Sequence, residues 1–227
     1  MTCLSPVHTI GNQIIESILL HEPNMGKTEA RDKAIDLLRE VGIPRPDRHI
    51  DAYPFELSGG MRQRALIAVA LAADPELLIA DEPTTALDVT IQAQFLNLIK
   101  KLQEDLGLSI LMITHNLGVI AEVSDKIVVV YAGKVVEYGN AKEIFCHPLH
   151  PYTVGLLKSL PRLDMKKKDK LQVIKGEVPD SLNSPSGCRF HPRCSFVQKN
   201  CKTEEPPLIV VEDMHRVRCW RYKKYEK

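Results

Sequence analysis

The sequence lacks a long apolar run and has almost no net charge. Its longest apolar segments, residues 65–73 and 126–132, fall far short of the roughly 20 residues that span a bilayer. Residues 1–17 contain no basic segment followed by an apolar stretch, so we expect no secretory signal peptide. Lys and Arg total 30 against 29 for Asp and Glu, so the net charge indicates no nucleic-acid partner. We expect a cytosolic chain that reaches a membrane only through other proteins.

The sequence also has no internal repeat, and its 227 residues are enough for one medium domain with a small addition. We expect a helical part over residues 1–73, an α/β part over 74–160 and a cysteine-rich part over 161–227. The last of these begins with a charged stretch, residues 162–170. That stretch fits either a solvated connector or a segment attracted to anionic lipid.

Hydrophobic spacing predicts an α/β fold with a parallel sheet. Two short apolar runs, LLIAD and SILMIT, are typical of parallel strands buried on both faces. Gly107 follows a long amphipathic segment and is a suitable residue to end a helix. The predicted elements are helices at 29–41, 58–73, 90–106 and 116–123, strands at 77–81 and 109–114, and a hairpin of strands 126–131 and 134–138.

Residues 26–28, Gly-Lys-Thr, match the end of a phosphate-binding loop but lack its context. Such a loop follows a strand and has a further glycine five residues upstream. Here that position is His21, Pro23 removes a backbone donor, and the preceding residues have helical character. We therefore predict that residues 26–28 are a connector between two helices.

The segment LSGGMRQR, residues 57–64, is a candidate anion site. Ser58 is placed to cap a helix, and Gly59 and Gly60 would present free backbone N–H groups at its positive end. The segment LLIADEPTTALD, residues 77–88, ends an apolar strand in two carboxylates. Asp81 is suited to holding Mg²⁺ and Glu82 to activating water, although solvated loop acids are also common.

His115 follows the second apolar run in ILMITHNL, at the strand end where α/β folds bind ligands. It fits contact with a terminal phosphate, or a purely structural role. These motifs in this order resemble the ATP-binding subunits of ABC transporters. Residues 147–161, HPLHPYTVGLLKSLP, further resemble the dipeptide, oligopeptide and nickel importers of that family. The resemblance implies a partial nucleotide-binding domain. In it, Ser58, Gly59 and Gly60 would form the signature motif, and Asp81 and Glu82 would belong to the Walker B motif. Asp88 would lie in the D-loop, and His115 would be the switch histidine.

The resemblance also implies ATP and Mg²⁺ as ligands and a location on the cytoplasmic face of the inner membrane. The partners it implies are a second ATPase subunit, permease subunits and, indirectly, an extracytoplasmic binding protein, with no nucleic acid. The family's phosphate loop and Q-loop would precede residue 1. Truncation, a frame-shifted gene or a second chain would each account for that, and we expect negligible ATPase activity from the chain alone.

Two alternatives stay open at this point. One is a non-transport ABC ATPase acting in repair or translation. The other is a catalytically inactive fragment that serves in metal binding or dimerisation.

Four cysteines fall within the last 40 residues, at Cys188, Cys194, Cys201 and Cys219. Such clustering in a cytosolic chain favours a metal site over disulfides. Their chemistry leaves zinc, an iron–sulfur cluster or metal-free cysteines open. The resemblance to peptide importers implies a [4Fe–4S] cluster, with zinc as the alternative. Nearby arginines would offset its charge or simply lie at the surface.

Overall fold

The computed structural model describes residues 4–85, 87–160, 173–180 and 182–225. The chain divides into two compact units, Met1–Val119 and Ile120–Lys227. The charged stretch at 162–170 lies outside the described residues, so its two interpretations stay open. In the described ranges, no helix is both long and apolar enough to cross a bilayer.

The first unit begins with helices that pack around an aliphatic core. The helices are α1 Ile10–His21, α2 Lys27–Glu40, α3 Pro46–His49 and α4 Gly59–Leu71. Ile14, Ile18 and Leu38 are completely buried where α1 and α2 pack together. The connector between α1 and α2 is residues 22–26, so the prediction of a connector at 26–28 is only partly confirmed. Gly26 is the N-cap of α2, and Lys27 and Thr28 are its first residues.

Gly11 on α1 allows close contact with the segment that precedes α4. A Cβ atom at Gly11 would lie 2.4 Å from Ile50 Cγ1 and 2.7 Å from Ile50 O. We expect Gly11→Ala to destabilise the protein by about 1–3 kcal/mol, because the backbone must move to admit the methyl group. Gly26→Ala is the matched control, with no atom within 4 Å of the new Cβ. It should cost less than about 1 kcal/mol in urea unfolding, and equal losses in the two variants would contradict this packing.

A two-stranded parallel sheet completes the first unit. Strands β1 Leu77–Asp81 and β2 Ser109–Ile113 pair in parallel and are connected through α5 Val89–Leu106, and α6 Leu117–Val123 follows. Gly107 ends α5 with φ 66°, as expected for a left-handed C-terminal residue. The parallel pairing is confirmed, but the expected burial of both strand faces is wrong.

One face of this sheet is exposed. Leu77 is 50% and Ile79 59% exposed, and Leu111 and Ile113 on the neighbouring strand are each 47% exposed. These four side chains share a face because alternate residues of a strand point the same way. Nothing in the described part of the chain covers that face, which is why apolar composition alone overestimated the burial.

The second unit is built on an antiparallel sheet of order β3-β4-β6-β5. The predicted hairpin is confirmed as β3 Lys126–Tyr131 and β4 Lys134–Asn140, turning at Ala132 and Gly133. Helices α7 Ala141–Cys146 and α8 Pro151–Lys158 follow. The cysteine-rich part then contributes β5 Ile209–Glu212 and β6 His215–Val217, and β6 pairs with β4. This part therefore shares a sheet with the hairpin.

A buried carboxylate ties the loop before α8 to this sheet. Glu137 on β4 is 0% exposed. Its oxygens accept hydrogen bonds from the backbone N–H groups of Leu149 and His150, at 2.7 and 2.9 Å. His215 Nε2 on β6 lies 2.8 Å from Glu137 Oε1. One side chain thus satisfies donors from two segments that are far apart in sequence.

His150 is buried at the N-cap of α8, where its Nδ1 accepts the Tyr152 N–H. Burial lowers the pKa of His150 from 6.5 to about 4. The unfolded chain therefore binds this proton at a higher pH than the folded protein. The stability contributed by neutral His150 is present above pH 6.5 and is lost as the pH falls towards 4, by about 1.4 kcal/mol per pH unit.

We expect the free energy of unfolding of His150→Asn to vary less steeply with pH, because the variant no longer has the one proton that His150 takes up on unfolding. Asn keeps a capping acceptor but does not titrate. Urea unfolding at a series of pH values between 4 and 7 measures the slope. His147→Asn, at an exposed position, should retain the wild-type slope. A His150→Asn slope identical to that of the wild type would show that His150 titrates normally in the folded protein.

Candidate functional site

The first part of the site is the N-terminus of α4. Ser58 is its N-cap, and Ser58 Oγ accepts the Met61 N–H at 3.3 Å, as its position predicted. Gly59 faces open space, and a Cβ on Gly60 would lie 3.3 Å from Ile91 on α5. A cavity of about 110 Å³ lies beside Ser58 and Gly60. The helix end therefore offers an accessible positive terminus that suits an anion.

The second part lies where β1 ends. Asp81 is the last residue of β1, pairs with Ile113 of β2 and is exposed. Glu82 follows, and its backbone N–H donates to Ile113 O at 2.8 Å. Its φ is 47°, a left-handed conformation that is rare for a residue with a long side chain. The parallel sheet thus brings the acids of β1 to the edge where β2 ends.

The third part is His115, which the fold places against Glu82. His115 Nδ1 lies 2.8 Å from Glu82 Oε1, and Thr85 Oγ1 donates to Glu82 Oε2 at 2.9 Å. The hydrogen bond from His115, and then that from Thr85, lowers the pKa of Glu82 below its ordinary value. Glu82 is therefore an ionised acceptor at neutral pH with an imidazole beside it.

Asp88 has a clear local role. It is the N-cap of α5, and its Oδ1 accepts the Ile91 N–H at 2.9 Å. The side chain is also exposed. Capping explains why Asp stands at this position, and the predicted contact with a nucleotide stays a prediction.

The four cysteines predicted to bind metal lie near one another in the second unit. The Cys188 N–H donates to Cys201 O at 2.9 Å. Burial raises the pKa of each of Cys188, Cys194 and Cys219, the last to about 11, and further contributions come from the neighbouring thiols. The sulfur of Cys194 accepts the Phe196 N–H and that of Cys201 accepts the Gln198 N–H, each at 3.4 Å.

The structure does not support the predicted [4Fe–4S] or zinc site beyond this proximity. In the described residues, no group of three or more His, Cys, Asp or Glu side chains has the arrangement that holds a metal ion. Cysteines 146, 188, 194, 201 and 219 are free rather than disulfide-bonded.

Comparisons with known proteins identify the family. Residues 2–85 match the ABC transporter family, and residues 136–201 match the family described as the oligopeptide/dipeptide transporter C-terminal region. A peptide import ATP-binding protein of Brucella melitensis is 54% identical over 98% of this chain, which spans 67% of that protein. The chain belongs to the ATP-binding proteins of peptide ABC importers.

Two further relatives agree with this assignment. The oligopeptide transport ATP-binding protein AppD of Bacillus subtilis is 52% identical over 98% of the chain and 67% of its own length. The dipeptide transport ATP-binding protein DppD of Lactococcus lactis is 51% identical over 97% of the chain and 63% of its own length. This chain therefore spans about two thirds of the length of these relatives.

The fold agrees as well. A dimeric structure of the bacterial ABC transporter cassette MJ0796 superposes with a TM-score of 0.53 at 31% identity. The match covers 61% of this chain and 59% of the cassette. A second structure of that cassette, in a post-hydrolysis state bound to ADP and Pi, superposes equally well.

Three features of the site were not found by sequence reasoning. Thr85 donates to Glu82, Glu82 has a left-handed backbone, and Gln63 on α4 donates from Nε2 to Pro83 O. The spacing of Glu82 and Thr85 could have suggested the first, since a hydroxyl three residues after an acid often reaches it in a turn. The other two depend on tertiary packing, which no local pattern reports.

Proposed function

We propose that this chain hydrolyses ATP to drive peptide import as part of an ABC importer. The observation that carries this proposal is the contact between Glu82 and His115 at the ends of β1 and β2, within a chain of the peptide-importer family. Phosphoryl transfer to water needs a group that orients the water and groups that stabilise charge on the phosphates. The site supplies residues of both kinds.

Each residue has a distinct task in this proposal. Glu82, held ionised, orients the attacking water and accepts its proton, and His115 contacts the terminal phosphate from the neighbouring strand end. Asp81 offers an exposed oxygen ligand of the type that Mg²⁺ prefers. When bound, Mg²⁺ would neutralise charge on the phosphates. Ser58, Gly59 and Gly60 face the nucleotide held by a second ATPase subunit, with Asp88 beside that contact.

We also propose that the 227 residues by themselves bind ATP weakly and turn it over slowly. They contain no GxxxxGK[ST] sequence, so no backbone cradle for the β- and γ-phosphates accompanies Glu82. The names of the relatives favour transport over the repair or translation alternative. They also favour it over a role limited to dimerisation.

The partners follow from this function. The chain would associate with a second ATPase subunit and with permease subunits at the cytoplasmic face of the inner membrane, and indirectly with a substrate-binding protein. Affinity purification of the tagged chain from membranes in mild detergent tests this directly. We expect membrane-spanning subunits to co-purify. Recovery of the chain without any membrane-spanning polypeptide would overturn the assignment to a transporter.

We further propose that Cys188, Cys194, Cys201 and Cys219 hold a [4Fe–4S] cluster, with Zn²⁺ as the alternative. Support comes from the hydrogen bond that the Cys188 N–H donates to Cys201 O at 2.9 Å, and from the backbone N–H groups that donate to the sulfurs of Cys194 and Cys201. A cluster distributes its four thiolates over separate irons, so they need not converge as the ligands of one ion do. Binding would require loss of the thiol protons.

Anaerobic purification distinguishes the two metals. We expect a brown protein that absorbs broadly near ~400 nm and contains about four irons per chain. Cys201→Ser should lose most of the iron, whereas Cys146→Ser, at an exposed cysteine outside the set, should retain it. A colourless preparation loaded with zinc would exclude the cluster, and a metal-free one would exclude both.

A further inference from the structure

Gln63 joins the helix that carries the glycines to the loop that carries Glu82. Gln63 lies one turn into α4 and is half-buried. Its side-chain Nε2 donates a hydrogen bond to Pro83 O, the carbonyl of the residue that follows Glu82. The two segments are 20 residues apart in sequence, so this bond is a tertiary link within the first unit.

The Glu82 backbone needs such a link because its conformation is unfavourable. A left-handed backbone at a non-glycine residue is strained and persists only where neighbouring groups hold it. The bond from the Glu82 N–H to Ile113 O holds the peptide before Glu82. Pro83 transmits a restraint from the other side, since its ring fixes φ and its carbonyl is held by Gln63.

The neighbouring residue on α4 has a different attachment. Arg64 Nη1 donates to Val41 O at 2.6 Å, at the end of α2. Successive residues point about 100° apart around a helix, so Gln63 and Arg64 reach different neighbours. Of these two side chains, Gln63 alone bonds to the Glu82 loop.

We propose that Gln63 is a positioning residue for Glu82. By fixing the Pro83 carbonyl, Gln63 aims the Glu82 carboxylate at His115. This inference rests on the proposed function, in which Glu82 acts on water. It assigns to α4 a task in its own subunit, in addition to presenting Ser58 and the glycines. Without the Gln63 donor, Glu82 relaxes from its left-handed conformation and its contact with His115 weakens.

Two measurements on the intact, nucleotide-free chain test this inference. In Gln63→Met, which keeps the length of the side chain but removes the donor, amide exchange of the Glu82 N–H should be about fivefold faster, as expected for one lost hydrogen bond. The ¹⁵N signals of the His115 ring should move at fixed pH towards those of Glu82→Ala. The ring signals matter because general loss of stability would not reproduce that specific shift.

Gln103→Met, at an exposed position of α5, is the matched control and should leave both measurements unchanged. If Gln63→Met fails to fold, Gln63→Glu provides the second variant, since it keeps the shape of the side chain but replaces the donor with an acceptor. Wild-type Glu82 exchange and His115 signals in the Gln63 variant overturn the proposal, as do equal changes in the control. Because no nucleotide is present, this outcome is independent of whether the chain supports ATP hydrolysis.

Discussion

Replacing Glu82 with Gln is expected to lower ATP hydrolysis by the assembled importer about a hundredfold or more, the usual contribution of a general base. The assay requires a phosphate-binding loop, supplied in the same polypeptide or by another one. The loss should appear in kcat with little change in KM for ATP, because the amide keeps the size of the carboxylate but cannot take the proton. The measurement is phosphate release at saturating ATP.

Glu104→Gln controls for the loss of one carboxylate, since Glu104 is exposed on α5. It should retain wild-type turnover. Wild-type turnover in Glu82→Gln as well would remove Glu82 from the chemistry and leave its contact with His115 as a structural feature. The association with permease subunits would be unaffected by that result.

Replacing Glu137 with Ala is expected to cost about 3–5 kcal/mol in the stability of the second unit. The change leaves the N–H groups of Leu149 and His150 without their acceptor and removes the partner of His215. Breaking a buried pair by removing one member has costs of this size. Urea unfolding followed by fluorescence of Trp220, the single tryptophan, reports on this unit.

Glu212→Ala offers a comparison within the same sheet. Glu212 is exposed on β5, and surface changes of this kind usually stay within about 0.5 kcal/mol. Equal urea midpoints for Glu137→Ala and Glu212→Ala would mean that Glu137 contributes nothing to stability through its buried contacts. A larger loss for Glu212 would mean that the outer strand controls unfolding.

Local patterns were enough to predict the elements that carry the site. Ser58 caps α4, Gly107 ends α5, and the two apolar runs pair in parallel and bring Glu82 to His115. Each of these features depends on residues that are neighbours in sequence or on the general rule that parallel strands end at one edge. The predicted roles of the site residues in ATP hydrolysis stay predictions.

Contacts between distant segments were beyond these patterns. The exposed faces of Leu77 and Ile79 depend on what lies above the sheet, which apolar composition does not report. Glu137 and His215 are 78 residues apart, and nothing near either residue indicates that they pair.

Uptake of a labelled oligopeptide tests the central claim most directly. Cells that lack their own copy of this chain would be supplied with the wild-type or the Glu82→Gln form at equal abundance in the membrane. The proposed function predicts that the wild-type form restores ATP-dependent uptake and that the Glu82→Gln form does not. Unchanged uptake in cells without the chain, or equal restoration by both forms, would contradict it.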